Sequence, residues 1–431
     1  MTGASLKIIV SLAEVGETWK GTIDIPQQGA SGLPLMNLRV EHPAVHFELA
    51  AGPGRLASFD GVLAEDTVSG TFEQAGVKGT FRMKRATPPV PAAPAPPPYR
   101  EEEVTVAHGN VSLACTLTFP ESRGPHPAVA LITGSGAQNR DEELFGFKPF
   151  RIIADHLTRQ GVAVLRCDDR GIGGSRGNVA EATSSDFADD AVAQAEYLAA
   201  RPEIDKRRVG LLGHSEGGII APIAAGRSKE VGFVILLSGP AVTGERILLA
   251  QAELLSRAAG ATEEMIARNR VLQLKTFETV RSGKGWDDLA ATIRAEAAES
   301  IAKLPEAQRK AIEDPASIAA TQVESQLMVA RSPWFRFFLD YDPAPALANL
   351  KVPALAIFGE LDLQVPAEMN RAVMSKALAG NPHHRVEVLP RANHLYQEAK
   401  TGGIAEYPVL EKKFVSGLLP LISEWILSLG T

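Results

Sequence analysis

Six short, continuous apolar runs recur along the chain after residue 126, and helical patterns separate them. Their sequences are AVALITG, VAVLRCD, RVGLLGH, FVILLSG, ALAIFGE and RVEVLP. Apolar runs rich in β-branched residues are typical of strands buried on both faces of a parallel sheet. Segments between them, such as DFADDAVAQAEYLAARP, have the period of an amphipathic helix. Because strands and helices alternate, the sequence predicts an open, doubly wound α/β sheet of mostly parallel strands.

The N-terminal part of the chain has a different pattern. Residues 1–86 contain short runs of period two between Gly and Asp turns, and Gly70-Thr71-Phe72 recurs as Gly79-Thr80-Phe81. This pattern predicts a small antiparallel β domain of successive hairpins, either a sandwich or a partial barrel. Residues 87–99, TPPVPAAPAPPPY, contain seven prolines, which predict a semi-rigid, extended linker.

Residues 243–346 interrupt the strand series with about a hundred residues of helical pattern. Because the strands resume directly with VPALAIFGE, a helical cap inserted into the α/β domain is favoured over a separate helical domain. The α/β domain itself then comprises residues 100–242 and 347–431, and its first part, EEVTVAHGNVSLACTLTFP, predicts a β-hairpin.

Two stretches match the pattern G-x-S-x-G, one around Ser215 and one around Ser175. A serine nucleophile of this kind needs a strand, a tight turn at the serine and then a helix. Ser215 lies between the strand RVGLLG and the small-residue helix GGIIAPIAAG, whereas a polar loop follows Ser175. The sequence therefore predicts Ser215 as the nucleophile and Ser175 as a structural loop residue.

A serine nucleophile needs a histidine base and a carboxylate that orients it, and in this architecture they follow in the order Ser, acid, His. Asp362 comes just after the strand ALAIFG, and His394 follows the strand RVEVLP. The carboxyl ends of parallel strands meet at one edge of the sheet, so we expect both side chains near Ser215. Glu360 is the alternative acid. His214 belongs to the turn, where we expect its side chain to face away from Ser215.

The negative oxygen of a tetrahedral intermediate needs preorganised backbone N–H donors. The residue after the nucleophile, Glu216, is one expected donor, through its backbone and not its carboxylate. The second is expected in the loop ALITGSGAQNRD, at Ser135 or at one of its neighbours Gly134 and Gly136. An aromatic cluster in the helical segment, SPWFRFFLDYD, serves either to line an apolar pocket or to pack the cap. The residues assigned to substrate binding are Trp334, Phe335, Phe338 and Tyr341.

Composition excludes several other classes of protein. The net charge of −7 with interspersed signs argues against nucleic acid binding, and no run reaches the roughly 20 apolar residues of a membrane helix. The N-terminus lacks signal-peptide features, which predicts a cytoplasmic protein or a secreted or periplasmic one after leader removal. The two cysteines, Cys115 and Cys167, are predicted to be ordinary core residues. No metal or cofactor site is predicted; the oligomeric state stays open, a homodimer included.

Four motifs together resemble the α/β-hydrolase superfamily over about residues 101–431. They are Gly213-His214-Ser215-Glu216-Gly217-Gly218, Asp169-Arg170-Gly171-Ile172-Gly173-Gly174-Ser175, Asp362 before Val365-Pro366, and Asn393-His394. The segment GSGAQNRDE and the N-terminal β domain are similar to bacterial carboxylesterases that carry a β domain and a helical cap. This resemblance implies hydrolysis of short acyl esters, and a role for Arg170 in bracing the oxyanion loop.

Other functions compete with ester hydrolysis. A serine peptidase or amidase, an acyltransferase or a thioesterase is compatible with the same residues. Residues 1–86 are too few for the β-propeller that usually precedes an oligopeptidase domain. A binding protein on an inactive hydrolase scaffold is the rival outside enzymes, and the occupied positions 215, 362 and 394 argue against it. The expected partner is a small-molecule ester.

Overall fold

A computed structural model describes residues 7–15, 18–25, 30–51, 54–74, 77–85, 97–303, 306, 309 and 314–430. The chain divides into two compact units, residues 1–96 with 285–327 and residues 97–284 with 328–431. The boundary falls in the predicted linker 87–99, of which residues 87–96 lie outside the described residues. The predicted cap segment, 243–346, is divided between the two units.

The first unit contains an antiparallel meander in which each described strand pairs with the next in the chain. The strands are β1 Ile9–Val15, β2 Thr18–Ile25, β3 Ala30–Glu41, β4 Ala44–Ala51, β5 Gly54–Ala64, β6 Thr67–Gln74 and β7 Val77–Lys84. Apolar side chains of alternating residues, among them Ile23, Phe47 and Phe59, form its core. The predicted small antiparallel β domain is confirmed.

The repeated Gly-Thr-Phe triplets lie directly opposite each other on β6 and β7. Phe72 pairs with Gly79, and Gly70 pairs with Phe81. A Cβ atom at position 79 would lie 2.4 Å from the ring of Phe72, so glycine leaves the space that the ring occupies. The repeat therefore forms one hairpin in which each phenylalanine faces a glycine across the strands, a pairing that stabilises β-sheets.

The second unit contains a sheet of eight described strands in the order β15-β14-β13-β12-β10-β11-β9-β8. The strands are β8 Tyr99–His108, β9 Val111–Pro120, β10 His126–Ile132, β11 Ala163–Cys167, β12 Ile204–His214, β13 Phe233–Leu237, β14 Ala354–Gly359 and β15 His384–Leu389. Neighbouring strands from β15 to β11 in this sheet order, β10 included, are parallel. β9 runs antiparallel to β11 and to β8. This confirms the doubly wound, mostly parallel sheet and the hairpin before it.

Helices cover both faces of this sheet. α1 Pro149–Arg159 and the C-terminal helix Leu418–Ser428 contribute apolar side chains to the core on one face. α2 Ser184–Ala199 and α3 Gly217–Arg227 contribute to the core on the other face. Successive residues of β10 alternate between these cores, as strand geometry requires. The run RVEVLP is an exception to the prediction of full burial, because β15 is the edge strand and is only partly buried.

The described part of the segment between β13 and β14 contains helices joined by loops and no strand, as predicted. Its helices are α4 Gly244–Ala258, α5 Glu263–Ser282, α6 Trp286–Ala302, α7 Pro315–Arg331, α8 Pro333–Asp340 and α9 Ala344–Ala348. Two helices follow β14, α10 Ala367–Ala377 and α11 Leu418–Ser428. No helix in the described part of the chain combines the length and apolar character needed to span a bilayer.

The prediction of ordinary core cysteines was wrong, because Cys115 and Cys167 form a disulfide. Cys115 lies on β9 and Cys167 on β11, and the two residues are direct partners in the antiparallel register. The pairing depends on which strands become neighbours in the sheet. A separation of 52 residues along the chain gives no local signal of it.

Candidate active site

Ser215 occupies a tight turn between β12, which ends at His214, and α3, which begins at Gly217. Its φ angle of 53° lies in the left-handed region, a strained conformation for a residue with a side chain. The flanking glycines are required by space: a Cβ at Gly213 would lie 1.9 Å from the Gly217 carbonyl oxygen, and a Cβ at Gly217 would lie 2.3 Å from that of Ile132. The turn therefore has the geometry of a nucleophile elbow.

Ser175 is bound into a loop instead. Its hydroxyl donates a hydrogen bond to the Asp168 carbonyl oxygen at 2.8 Å and accepts one from the Ala114 N–H at 2.8 Å. The side chain is buried, and both interactions fix the loop after β11 against β9. Both hydrogen bonds join it to backbone groups of neighbouring segments, as expected of a structural residue.

Asp362 and His394 follow adjacent parallel strands, β14 and β15, and their side chains meet. The Nδ1 atom of His394 lies 2.8 Å from Oδ2 of Asp362. The other carboxylate oxygen of Asp362 accepts hydrogen bonds from the N–H groups of Gln364 and Val365. Burial by itself raises the pKa of Asp362, but attraction to His394 and these hydrogen bonds outweigh it, so the pKa lies below its ordinary value.

Glu360, the alternative acid, is exposed and points elsewhere. One of its carboxylate oxygens accepts the N–H of Arg391 at 2.7 Å. This contact connects the two loops that follow β14 and β15. Of the two carboxylates, Asp362 is the one that holds the His394 imidazole.

Ser215 and His394 line the same cavity of about 270 Å³. The apolar residues that line it include Leu144, Ile247, Leu248, Trp334, Phe338 and Val365. The polar residues that line it are Gln138, Glu142, His214, Glu216, Gln251 and Gln364. Among the described residues, no group of three or more His, Cys, Asp or Glu side chains has the arrangement of a metal site.

The loop expected to complete the oxyanion hole lies against the elbow. A Cβ atom at Gly134 would lie 3.2 Å from the Cβ of Ser215, so glycine permits this close approach. The Gly134 N–H donates to Oε1 of Glu142 at 2.8 Å, which removes Gly134 from the expected donors. Ser135 and Gly136 remain, together with Glu216, which directly precedes α3, where backbone N–H groups lack intrahelical acceptors.

The four aromatic residues assigned to substrate binding separate into two pairs. Trp334 and Phe338 line the cavity, with their rings stacked at 5.3 Å. Phe335 instead packs against Phe277, with 6.2 Å between ring centroids. Tyr341 stacks on a neighbouring aromatic of the same segment, and burial raises its pKa to about 12. Residues 334 and 338 are one turn apart on α8 and line the cavity together, whereas Phe335 and Tyr341 do not line it.

The Glu216 carboxylate has a structural role that sequence analysis missed. It is buried and accepts hydrogen bonds from Ser184 at 2.6 Å and from the indole N–H of Trp334 at 2.8 Å. Burial raises its pKa above the ordinary value, although hydrogen bonds from Ser184, Trp334 and Ser135 act in the opposite direction. Helix α8 is thereby attached to the residue next to the nucleophile.

The residue that braces the oxyanion loop is Asp169 and not Arg170. Asp169 accepts hydrogen bonds from the Thr133 hydroxyl at 2.7 Å and the Gln138 N–H at 2.8 Å. Burial raises the pKa of Asp169 to about 7, against the effect of these hydrogen bonds. Arg170 instead binds Asp190 and a backbone carbonyl of α2. The structural turn expected at Asp169-Arg170-Gly171 is present, but the residue that braces the loop is Asp169, one position before Arg170.

His214 and Glu142 form a second buried pair at the site. Nδ1 of His214 lies 2.9 Å from Oε1 of Glu142, and Nε2 lies 2.9 Å from the carbonyl oxygen of His394. The rings of His214 and His394 are 4.7 Å apart. Burial alone lowers the pKa of His214, but the charge of Glu142 and these hydrogen bonds raise it overall. Sequence analysis placed His214 in the turn but gave no indication of this pair.

Known proteins are similar to this chain over most of its length. Residues 148–398, more than half of the chain, match the family described as serine aminopeptidase, S33. Esterase EstD of Thermotoga maritima is 26% identical over 358 residues, which cover 83% of this chain and 73% of that protein. An esterase structure from Pyrococcus furiosus is 17% identical, with a TM-score of 0.45, and the match covers 77% of this chain and 91% of that one.

A dienelactone hydrolase from Anabaena variabilis is 18% identical with a TM-score of 0.40, over 77% of this chain and 98% of that one. The range matched by the family contains Ser215, Asp362 and His394. The chain belongs to the serine aminopeptidase S33 family, and it is a hydrolase of the α/β-hydrolase fold.

Proposed function

We propose that this protein is a serine carboxylesterase that hydrolyses short-chain or small aromatic esters through an acyl-serine intermediate. One observation carries the proposal: the His394 imidazole, held by Asp362 at 2.8 Å, opens on the same cavity as Ser215 at a strained turn. A base, its orienting carboxylate and a hydroxyl in this relation are the components of serine hydrolysis.

In the proposed reaction, Nε2 of His394 accepts the proton of Ser215 while the hydroxyl oxygen attacks the ester carbonyl. Asp362 keeps the other imidazole nitrogen protonated and stabilises the imidazolium. The N–H groups of Ser135 and Glu216 stabilise the oxyanion. His394 then donates its proton to the leaving alcohol, and water attacks the acyl-serine by the same steps in reverse.

Two observations favour esters over peptides with a free amino group. An aminopeptidase binds the ammonium group of its substrate with carboxylates, and the carboxylates that line this cavity, Glu142 and Glu216, already accept hydrogen bonds from protein donors. The curated relative from Thermotoga maritima carries the name esterase. A cavity of about 270 Å³ also suits small acyl groups, since it lies below the usual range of ligand pockets.

Covalent labelling with a fluorophosphonate tests the nucleophile. We expect the native protein and the Ser175→Ala variant to be labelled and active, and the Ser215→Ala variant to lose labelling and at least about 10³-fold in kcat. Ser175 is the matched control because it lies in the second G-x-S-x-G stretch. Labelling that persists in Ser215→Ala would contradict the assignment.

The same preparation separates esterase from peptidase. We expect p-nitrophenyl acetate and butyrate to be hydrolysed with higher kcat/KM than long-chain esters and aminoacyl anilides. Faster hydrolysis of the anilides would favour the peptidase alternative, which agrees with the name of the serine aminopeptidase S33 family.

A further inference from the structure

Both ring nitrogens of His214 face hydrogen-bond acceptors. Nδ1 faces the Glu142 carboxylate, and Nε2 faces the carbonyl oxygen of His394, each at 2.9 Å. A neutral imidazole has one N–H and one lone pair, whereas an imidazolium has two N–H donors. A carbonyl oxygen has no proton to donate, and neither has the carboxylate form of Glu142. With Glu142 in that form, both hydrogen bonds form only when His214 is protonated.

Glu142 supplies the compensating charge inside the protein. Its side chain and that of His214 are buried, with 1% and 5% of each residue exposed. A buried imidazolium is unfavourable without a counter-ion, so the Glu142 carboxylate stabilises the charged form of His214. The same oxygen, Oε1, also accepts the N–H of Gly134 at 2.8 Å.

These hydrogen bonds join three separate segments of the site. Gly134 belongs to the oxyanion loop, His214 directly precedes Ser215, and the His394 carbonyl belongs to the residue whose ring is the proposed base. We propose that the Glu142–His214 ion pair is a positioning device. It holds the oxyanion loop, the turn at Ser215 and the loop at His394 in the arrangement that catalysis needs. This inference rests on the proposed function, and it assigns neither residue a chemical step.

The groups that surround His214 are consistent with a cation at this position. Asp362 acts on it through its negative charge, in addition to Glu142, and both raise the pKa of His214. The ring of His394 lies 4.7 Å away and the ring of Tyr396 lies 6.5 Å away. The Tyr396 hydroxyl points elsewhere, since it donates to the carbonyl oxygen of Ile357.

The variant Glu142→Gln tests the charge without removing the hydrogen bonds. The amide oxygen can still accept from Gly134 and His214, but the imidazolium loses its counter-ion and deprotonates at a lower pH. One nitrogen of neutral His214 then presents a lone pair to an acceptor. We expect kcat of this variant for p-nitrophenyl acetate to approach the native value near pH 6 and to fall about tenfold below it by pH 9, with KM unchanged. The loss is expected because the backbone donors to the oxyanion are then misplaced.

Glu143→Gln is the matched control. Glu143 is the next residue in the loop and is paired with Lys148 at 3.2 Å, so its substitution removes the same charge from a different contact. We expect its ratio of kcat to the native value to be close to one at every pH. A Glu142→Gln ratio that does not change with pH would overturn the proposal, because a purely structural defect lowers kcat equally throughout.

Nitrogen-15 NMR of the histidine rings shows whether His214 is protonated and does not depend on enzyme activity. We expect both nitrogens of His214 to be protonated at pH 8 in the native protein and only one in Glu142→Gln, with the signal identified by its loss in His214→Gln. A neutral His214 at pH 8 in the native protein would overturn the proposal. If the native protein hydrolyses no ester, the proposed function fails, while this measurement still decides the ion pair.

Discussion

The hydrogen-bond partners of Asp362 determine which chemical group each of its two oxygen positions must carry. One of its oxygens accepts two backbone N–H groups, from Gln364 and Val365, so that position must be an acceptor. In Asp362→Asn the amide nitrogen therefore takes the other position, opposite Nδ1 of His394. An amide donor there forces the imidazole into the tautomer with its proton on Nε2, which cannot accept the proton of Ser215.

We therefore expect Asp362→Asn to lower kcat by about 10⁴-fold while the fold is retained. Steady-state kinetics with p-nitrophenyl acetate, beside a circular dichroism spectrum, measures this. Glu360→Gln is the control, because Glu360 is exposed and contacts Arg391. Near-native turnover in Asp362→Asn, or a comparable loss in Glu360→Gln, would contradict the role given to Asp362.

At the scale of elements, the order of the strands decides which residues meet. β9 precedes β10 in the chain but pairs with β11, which places Cys115 opposite Cys167. The disulfide thus connects the β8–β9 hairpin to the parallel part of the same sheet. A cross-link over 52 residues restricts the unfolded chain, and in the chain-entropy description this stabilises the folded state.

We expect the double variant Cys115→Ala/Cys167→Ala to lose up to about 4 kcal/mol in the free energy of unfolding. Urea unfolding with and without reductant measures it: reductant should destabilise the native protein and leave the variant unchanged. Mass spectrometry after alkylation under denaturing conditions tests the linkage itself. Two alkylated cysteines in unreduced native protein would contradict it.

At the scale of the whole molecule, each compact unit has a core of its own. The first unit is built around Ile23, Phe47 and Phe59, and the second has the cores on the two faces of its sheet. The residues that line the cavity at Ser215 belong to the second unit. Two compact units that share no core are expected to unfold as two cooperative units.

We expect two transitions in calorimetry of the intact protein. Phosphonylation of Ser215 fills the cavity of the second unit and should raise the midpoint of one transition only. Ser215→Ala treated with the same reagent is the control and should show no shift. A single transition that moves as a whole would show that the units unfold together.

The amino-acid sequence alone determined the features that depend on near neighbours in the chain. Strand period, helical period and turn glycines specified the α/β sheet, the N-terminal β domain and the elbow at Ser215. The steric reason is local, since a Cβ atom at Gly213 would meet the backbone only four residues later. Asp362 and His394 could be chosen because residues after adjacent parallel strands share one edge of a sheet.

The tertiary structure alone decided the contacts between distant segments. Cys115 meets Cys167 over 52 residues, Glu142 meets His214 over 72, and Trp334 reaches Glu216 over 118. Each contact depends on strand order, loop path or the direction of one side chain. Those properties are set by packing of the whole unit, because burial and hydrogen bonding act through space and leave no periodic pattern along the chain.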